Sequence, residues 1–162
     1  MSNDNLCRVK QAFVDATRHA HRAGFDTIQV HVAHGYLLHQ FLSPITNKRS
    51  DQYGGDLQSR MRYPLEIFEA VRGAFPSEKP VMVRLSATDW IDGGWDIGQS
   101  IEFCRALKDL GCDMVDVSSG GLDQAQQIIT GPGYQTDLSQ RIRSEAGIAT
   151  MTVGQITDPI QA

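Results

Sequence analysis

Apolar runs of strand length alternate with segments of helical periodicity along this chain, and this alternation limits its fold more than any other feature. Four strands are predicted, at residues 27–32, 80–86, 113–119 and 148–153. Strands that alternate with helices are joined by right-handed crossovers and lie parallel in one sheet. The sequence therefore predicts an α/β fold with a parallel sheet.

Residues typical of helix ends mark where the helices between these strands begin and end. The chain opens with a helical pattern that stops at Gly24. Asp56 is predicted to cap the next helix, and Asp96 and Asp137, each with a glutamine three residues later, are predicted to cap two more. Residues 35–56 are predicted to form a long ordered loop, which is typical of segments that carry function.

Two architectures contain a sheet of this kind, and the polar residues distinguish them. A doubly wound sheet would carry a GxGxxG fingerprint after its first strand, and none follows any strand here. Polar residues or glycine instead recur at the carboxyl ends of the strands, at His31, Arg84, Ser118 and Gly154, as in a β/α barrel. We predict a partial TIM (β/α)8 barrel, since a closed barrel needs eight βα units in roughly 250 residues and this chain has about four.

Composition excludes several classes of function. The 162 residues carry a net charge of −4 and show no basic stripe, so nucleic acid is not an expected partner. No apolar run of membrane-spanning length and no signal-peptide core is visible, and a cytoplasmic protein is expected. The three cysteines fit no CxxC pattern, which argues against a disulfide framework and against an iron–sulfur cluster. Cys104 is predicted to lie in the core.

The run His31-Val32-Ala33-His34-Gly35-Tyr36 places two imidazoles and a phenol where the first strand ends. His31 lies on the opposite face from the apolar residues of that strand, because side chains alternate along it. His34 follows the turn, close enough for both rings to donate hydrogen bonds to one ligand oxygen. The pattern predicts a site for an anion or a polarised carbonyl, and the alternative is a pair of rings satisfied by backbone groups.

Other charged residues have both a functional and a structural interpretation. The His-x-x-His spacing with His39 nearby invites a metal site, but no cysteine or carboxylate lies at ligand spacing, so no metal is predicted. Arg84 would serve either a ligand or a structural ion pair with Asp116 on a neighbouring strand. Asp89 and the two aspartates that follow it are predicted to lie in a solvated loop.

Three long motifs resemble the old yellow enzyme family of FMN-dependent NAD(P)H oxidoreductases. They are HVAHGYLLHQFLSP at residues 31–44, NKRSDQYGG at 47–55 and VRLSA at 83–87, and GPGYQ at 131–135 resembles the bacterial NADPH dehydrogenase branch. The resemblance implies that residues 1–162 form a partial FMN-binding TIM-barrel domain. It would contain the family's strands four to seven, without the first three and the last, so its open edges favour self-association or a missing barrel half.

The resemblance also implies a reaction and a role for each site residue. NADPH or NADH would reduce FMN, and the flavin would pass hydride to an activated alkene, a small-molecule substrate. His31 and His34 would hold the substrate oxygen in a pocket lined by Tyr36. Arg84 would lie beside the flavin ring, and the backbone at Gly154 would approach the FMN phosphate.

Two alternatives to this ene-reductase function remain open. One is a catalytically inactive half-barrel that serves as an assembly module. The other is a flavoprotein domain that acts on enoyl-CoA or aromatic acyl-CoA substrates.

Overall fold

The computed structural model describes residues 1–160 and contains four strands and five helices in that range. The strands are β1 (Ile28–Val32), β2 (Val81–Ser86), β3 (Met114–Ser118) and β4 (Ala149–Thr152). The helices are α1 (Asn3–Arg22), α2 (Leu37–Leu42), α3 (Leu57–Ala74), α4 (Ile97–Asp109) and α5 (Thr136–Ala146). The strands form one sheet in the order β1-β2-β3-β4, with every pair parallel, which confirms the predicted α/β arrangement.

The two faces of the sheet differ in chemistry. One face carries apolar side chains that are buried with the helices, among them Val30, Val83 and Val115. The strand register aligns a second set across the opposite face, with His31 beside Arg84, Arg84 beside Asp116 and Asp116 beside Met151. Because side chains alternate along each strand, this row of mostly polar residues lies on a single face of the sheet.

Two of the three predicted aspartate caps are confirmed. The Asp56 carboxylate accepts a hydrogen bond from the Ser59 N–H at 2.8 Å, and the Asp96 carboxylate accepts one from the Gln99 N–H at 2.9 Å. These contacts satisfy backbone donors at the starts of α3 and α4 that have no partner within the helix.

The third predicted cap, at Asp137, is wrong. Helix α5 begins at Thr136, two residues earlier than a cap at Asp137 requires, with Gln135 at the cap position. The Gln135 side chain makes no cap hydrogen bond and instead links Ser119 Oγ, at 2.6 Å, to the carbonyl of Val153, at 2.9 Å. Tertiary contacts therefore set the start of this helix.

The segment 35–56 is ordered, as expected, but it contains a helix that the sequence did not reveal. Helix α2 buries Leu38, Phe41 and Leu42. Six residues make fewer than two turns, which is too short for a helical period to stand out. The Asn47 side chain orders the remainder by donating to the carbonyls of Phe41 and Tyr53, both at 2.7 Å.

Two of the three cysteines are buried in the core. Cys104 is fully buried, as predicted, and burial also raises the pKa of the Cys112 thiol to about 12. Within residues 1–160, no helix is both long enough and apolar enough to cross a membrane.

Candidate active site

The His31, His34 and Tyr36 side chains meet at the carboxyl end of β1, as the sequence predicted. The ring centroids of His31 and His34 are 5.4 Å apart, and those of His31 and Tyr36 are 5.1 Å apart. Tyr36 is 64% exposed and forms the outer side of this cluster. The cluster therefore lies at the surface, open to a small molecule.

The backbone at His34 adopts an unusual conformation. Its φ is +57°, in the left-handed region, which costs a non-glycine residue about 1–2 kcal/mol. The His34 N–H donates to Ser86 Oγ at 3.0 Å, and Ser86 Oγ donates to the Gly120 carbonyl at 2.8 Å. A Cβ on Gly121 would lie 2.7 Å from His34 Cα, so only glycine fits there. The ends of β1, β2 and β3 are thus packed backbone to backbone around His34.

The two imidazoles differ in the ring nitrogens that they can offer to a ligand. His34 Nε2 lies 2.7 Å from Ser118 Oγ, so this nitrogen already has a partner. Within residues 1–160, the His31 ring makes no hydrogen bond. A ligand oxygen that uses both rings must therefore meet His34 at Nδ1 or displace Ser118.

Both rings are held in their neutral form near neutral pH. Burial lowers the pKa of His31 and of His34, and the positive charge of Arg84 lowers both pKa values further. A neutral imidazole has one N–H donor and one acceptor nitrogen. The pair can accordingly donate hydrogen bonds without carrying charge.

Arg84 forms an ion pair and also keeps part of its side chain free. Its Nε lies 3.4 Å from Asp116 Oδ2, and the Gln29 amide donates to the same oxygen at 3.4 Å. In the described part of the chain, Arg84 Nε and Asp116 Oδ1 are buried without a hydrogen-bond partner. The Arg84 side chain is 33% exposed, and its two terminal nitrogens make no hydrogen bond within residues 1–160. Asp116 therefore contacts only one side of the guanidinium.

A second polar cluster lies behind the histidine pair, and the sequence interpretation missed it. His39 and Asp89 are both fully buried, with 2.8 Å between His39 Nε2 and Asp89 Oδ1. Asp89 also accepts hydrogen bonds from Ser43 Oγ at 2.6 Å and from the Trp95 N–H at 2.7 Å. The prediction that Asp89 lies in a solvated loop is wrong. We call His39, Ser43, Asp89 and Trp95 the buried clamp.

The buried clamp has a defined protonation state. His39 Nδ1 accepts the Gly35 N–H at 3.0 Å, so its proton is on Nε2, which donates to Asp89. Burial alone would raise the pKa of Asp89, but its hydrogen bonds with His39, Ser43 and Trp95 outweigh burial and lower it. His39 thus points into the protein and does not join the other two rings. Across residues 1–160, no three His, Cys, Asp or Glu side chains are grouped as metal ligands.

Gly154 lies at the other end of the sheet, just after β4, with β2 and β3 between it and β1. Its φ is +127°, and a Cβ there would lie 3.1 Å from the Tyr134 ring and from the Gln135 amide. Its carbonyl accepts the Gly133 N–H at 2.7 Å. The structure gives a local reason for glycine at this position, and it does not bring Gly154 into the histidine cluster.

Comparison with known proteins relates this geometry to a family. The model of the NADH:flavin oxidoreductase / NADH oxidase family matches residues 1–162. The NADPH dehydrogenase of Bacillus subtilis is 44% identical over 158 residues, which cover 98% of this chain and 46% of that protein. The chain therefore belongs to the NADH:flavin oxidoreductase / NADH oxidase family, as its motifs indicated. FMN as the cofactor and a nicotinamide reductant are confirmed at the level of this family.

Solved structures confirm the fold. An old yellow enzyme homologue from Zymomonas mobilis matches 97% of this chain and 44% of its own, with 30% identity and a TM-score of 0.78. A 2-naphthoyl-CoA reductase in complex with 2-naphthoyl-CoA matches 99% of this chain and 25% of its own, with 26% identity and a TM-score of 0.92. The predicted partial β/α barrel is confirmed. The chain spans less than half the length of its relatives: 46% of the Bacillus subtilis protein and 38% of an NADH:flavin oxidoreductase from Gibberella zeae, which is 42% identical over 158 residues, or 90% of this chain.

Proposed function

We propose that the carboxyl edge of this sheet forms the substrate side of an FMN-dependent ene-reductase site. The observation that carries the proposal is the pair of neutral imidazoles, His31 and His34, held together beside the positive charge of Arg84. Neutral donors next to a fixed cation suit an oxygen that gains negative charge during a reaction. Tyr36 adds an aromatic wall that contacts His31.

The residues present fit FMN at two positions. The terminal nitrogens of Arg84 are free to bind an electron-rich ring edge, and a guanidinium there favours negative charge on the bound group. Gly154, just after β4, carries no side chain of its own between its backbone and a phosphate, and the Gln135 amide lies 3.1 Å from the position a Cβ would take. When bound, FMN would supply the hydride chemistry, with NADPH or NADH as the reductant.

The histidine pair would act on the substrate oxygen. Reduction of an activated alkene places negative charge on its carbonyl oxygen, and two N–H donors aimed at that oxygen stabilise the charge as it develops. His31 has no competing hydrogen bond within the described residues, so it would serve as the first donor. His34 would turn its Nδ1 to the oxygen or exchange Ser118 for it.

We further propose that other strands cover the open edges of the sheet, from a second copy of the chain or from further barrel sequence. Strands β1 and β4 each pair with a single neighbour. A groove of about 460 Å³ beside β1 is lined by apolar residues that include Phe13, Phe25 and Ile28. The match to under half of the Bacillus relative supports the same interpretation.

A second candidate substrate class is favoured by one comparison. The 2-naphthoyl-CoA reductase complex superposes on nearly the whole chain with a TM-score of 0.92. Aromatic acyl-CoA thioesters also carry a carbonyl oxygen, which the same two imidazoles would bind. Competition of 2-naphthoyl-CoA and a simple enone for the site would distinguish the two classes.

A titration tests the proposed function. FMN is added to the protein, and binding of 4-chlorophenol is followed by the long-wavelength band that a phenolate gives when it stacks on oxidised flavin. A hydrogen bond to a charged acceptor is worth about 1.5–3 kcal/mol, so each lost imidazole should weaken phenolate roughly ten- to a hundredfold. We expect the double variant His31→Ala, His34→Ala to lose the band and keep FMN.

His19→Ala is the matched control, because His19 is exposed on α1, away from the strand ends. Phenolate binding that survives the double substitution would refute the role of the pair. A protein that never binds FMN, even when self-associated, would favour the inactive assembly module.

A further inference from the structure

We infer that His39 is a positioning residue that fixes the His34–Gly35 peptide and so directs the His34 ring towards the ligand. The inference rests on the proposed function of the histidine pair, since it concerns the same site. His39 itself is fully buried and does not reach a substrate. Its effect must therefore pass through the backbone.

The first step is the pair of hydrogen bonds on either side of the His34 Cα. The His34 N–H donates to Ser86 Oγ at 3.0 Å, and the next N–H, that of Gly35, donates to His39 Nδ1 at 3.0 Å. Between these two bonds His34 holds a φ of +57°. A strained conformation persists only where its surroundings fix it, and the two side-chain acceptors do so here.

The second step is the choice of tautomer. Only an unprotonated Nδ1 can accept the Gly35 N–H, because a proton there would set two donors against each other. Asp89 selects this tautomer because its Oδ1 accepts a hydrogen bond from His39 Nε2–H at 2.8 Å. Ser43 and Trp95 in turn hold the carboxylate. The buried clamp therefore connects the loop after β2 to the peptide that carries His34.

The third step separates positioning from proton transfer. His39 Nε2 is bonded to Asp89 and His39 Nδ1 to Gly35, so neither ring nitrogen is left to exchange a proton with a substrate. The clamp also has no solvent-exposed ring atom, since His39 is 0% exposed. Its contribution is to the geometry of the donor that does face the ligand.

Two substitutions of His39 separate its two hydrogen bonds. Counted in bonds from Cβ, the glutamine amide nitrogen matches His Nε2 and the asparagine oxygen matches His Nδ1. His39→Gln should keep the contact to Asp89 and lose the acceptor for Gly35. His39→Asn should keep that acceptor and lose the contact to Asp89.

The expected results are opposite for the two variants. In NMR spectra, the Gly35 amide proton and the His34 ring nitrogens should shift in His39→Gln and stay near their wild-type positions in His39→Asn. The unfolding temperature should fall more in His39→Asn than in His39→Gln, because His39→Asn leaves Asp89 without its imidazole partner. A purely structural role predicts instead that the His34 signals follow stability in both variants, and that result would overturn the inference.

Ser100→Ala is the matched control, because Ser100 is buried and its hydroxyl donates to the Ala87 carbonyl, two residues before Asp89, and not to a clamp residue. It should lower stability and leave the His34 ring signals unchanged. If neither His39 variant folds, ¹⁵N chemical shifts of the wild-type His39 ring test the inference. A ring proton on Nε2 supports the inference, and a ring proton on Nδ1 overturns it.

Phenolate binding then relates the clamp to the site. In FMN-loaded protein, 4-chlorophenol should bind roughly tenfold more weakly to His39→Gln and within about threefold of wild type to His39→Asn. If wild-type protein binds no phenolate, the proposed function fails, whereas the NMR comparison still tests the positioning role. Equal losses of affinity in the two variants would refute that role.

Discussion

The two ends of the polar edge of this sheet are built differently. Behind β1 and β2, the four residues of the buried clamp are fully buried and joined by hydrogen bonds to Asp89. At β4, Met151 within the strand is 41% exposed and Val153, directly after it, is 39% exposed. The proposed substrate-oxygen site is therefore held by contacts within this chain, whereas the proposed phosphate site depends on surfaces that these residues do not supply.

The difference follows from the position of each strand. Strand β2 has neighbours on both sides, and Asp89 and Trp95 in the loop at its carboxyl end are fully buried. Strand β4 has one neighbour, and its four residues alternate between exposed and half-buried. Polar groups can form a fixed network only where water is excluded, because in the open they exchange partners with solvent. The following predictions test this contrast.

The largest effect is expected at Asp89. Replacement by alanine leaves the His39 Nε2–H, the Ser43 hydroxyl and the Trp95 N–H without their acceptor. Each unsatisfied buried group costs about 1–3 kcal/mol in free energy of unfolding, and three groups lose their acceptor here. Urea unfolding followed by tryptophan fluorescence measures it. Asp92→Ala is the matched control in the same loop, where an exposed carboxylate should cost less than about 0.5 kcal/mol. Equal losses in both variants would contradict the enclosed state of this end.

A smaller loss is expected at Gln135, which joins the ends of β3 and β4. Gln135→Ala removes the hydrogen bonds to Ser119 and to the Val153 carbonyl, and unsatisfied buried groups cost about 1–3 kcal/mol. Hydrogen exchange should increase at β4 and not at β1. Gln127→Ala, at an exposed position, is the control. Faster exchange at both ends would show that the two ends of the edge are coupled.

The free energy of unfolding should fall in two stages as the pH is lowered. The folded-state pKa values of His31 and His34 lie below the ordinary 6.5, so the unfolded chain takes up protons first and stability falls as pH drops below about 6.5. The pKa of Asp89 lies below 3.8, so its contribution is present above that pH and is lost as the pH falls through the folded value. Urea midpoints between pH 8 and 3, compared with those of Asp89→Asn, measure both stages. A variant whose midpoint fell in parallel with wild type below pH 4 would exclude Asp89 as the second group.

Much of this organisation was predictable from the sequence, because strands and caps leave local signals. The period-two alternation placed His31 on the polar face, and Asp56 and Asp96 marked helix starts correctly. Asp89 was misassigned because its partner His39 lies 50 residues away, and no local pattern reports that contact. The cap at Asp137 failed for the same reason, since the distant Ser119 engages Gln135 and the helix starts earlier.

The smallest effect is expected at Met151, on the exposed polar face of β4. Met151 lies in register with Asp116 and is 41% exposed, so Met151→Gln should change the free energy of unfolding of the isolated chain by less than about 0.5 kcal/mol. Val83→Ala, at a fully buried position on β2, provides the contrast, because a cavity there destabilises the core. A larger loss at Met151 would mean that another surface covers β4 in solution. If light scattering gives twice the mass of one chain, that surface belongs to a second copy. The unfolding temperature should then rise with protein concentration, because association stabilises the folded state by mass action.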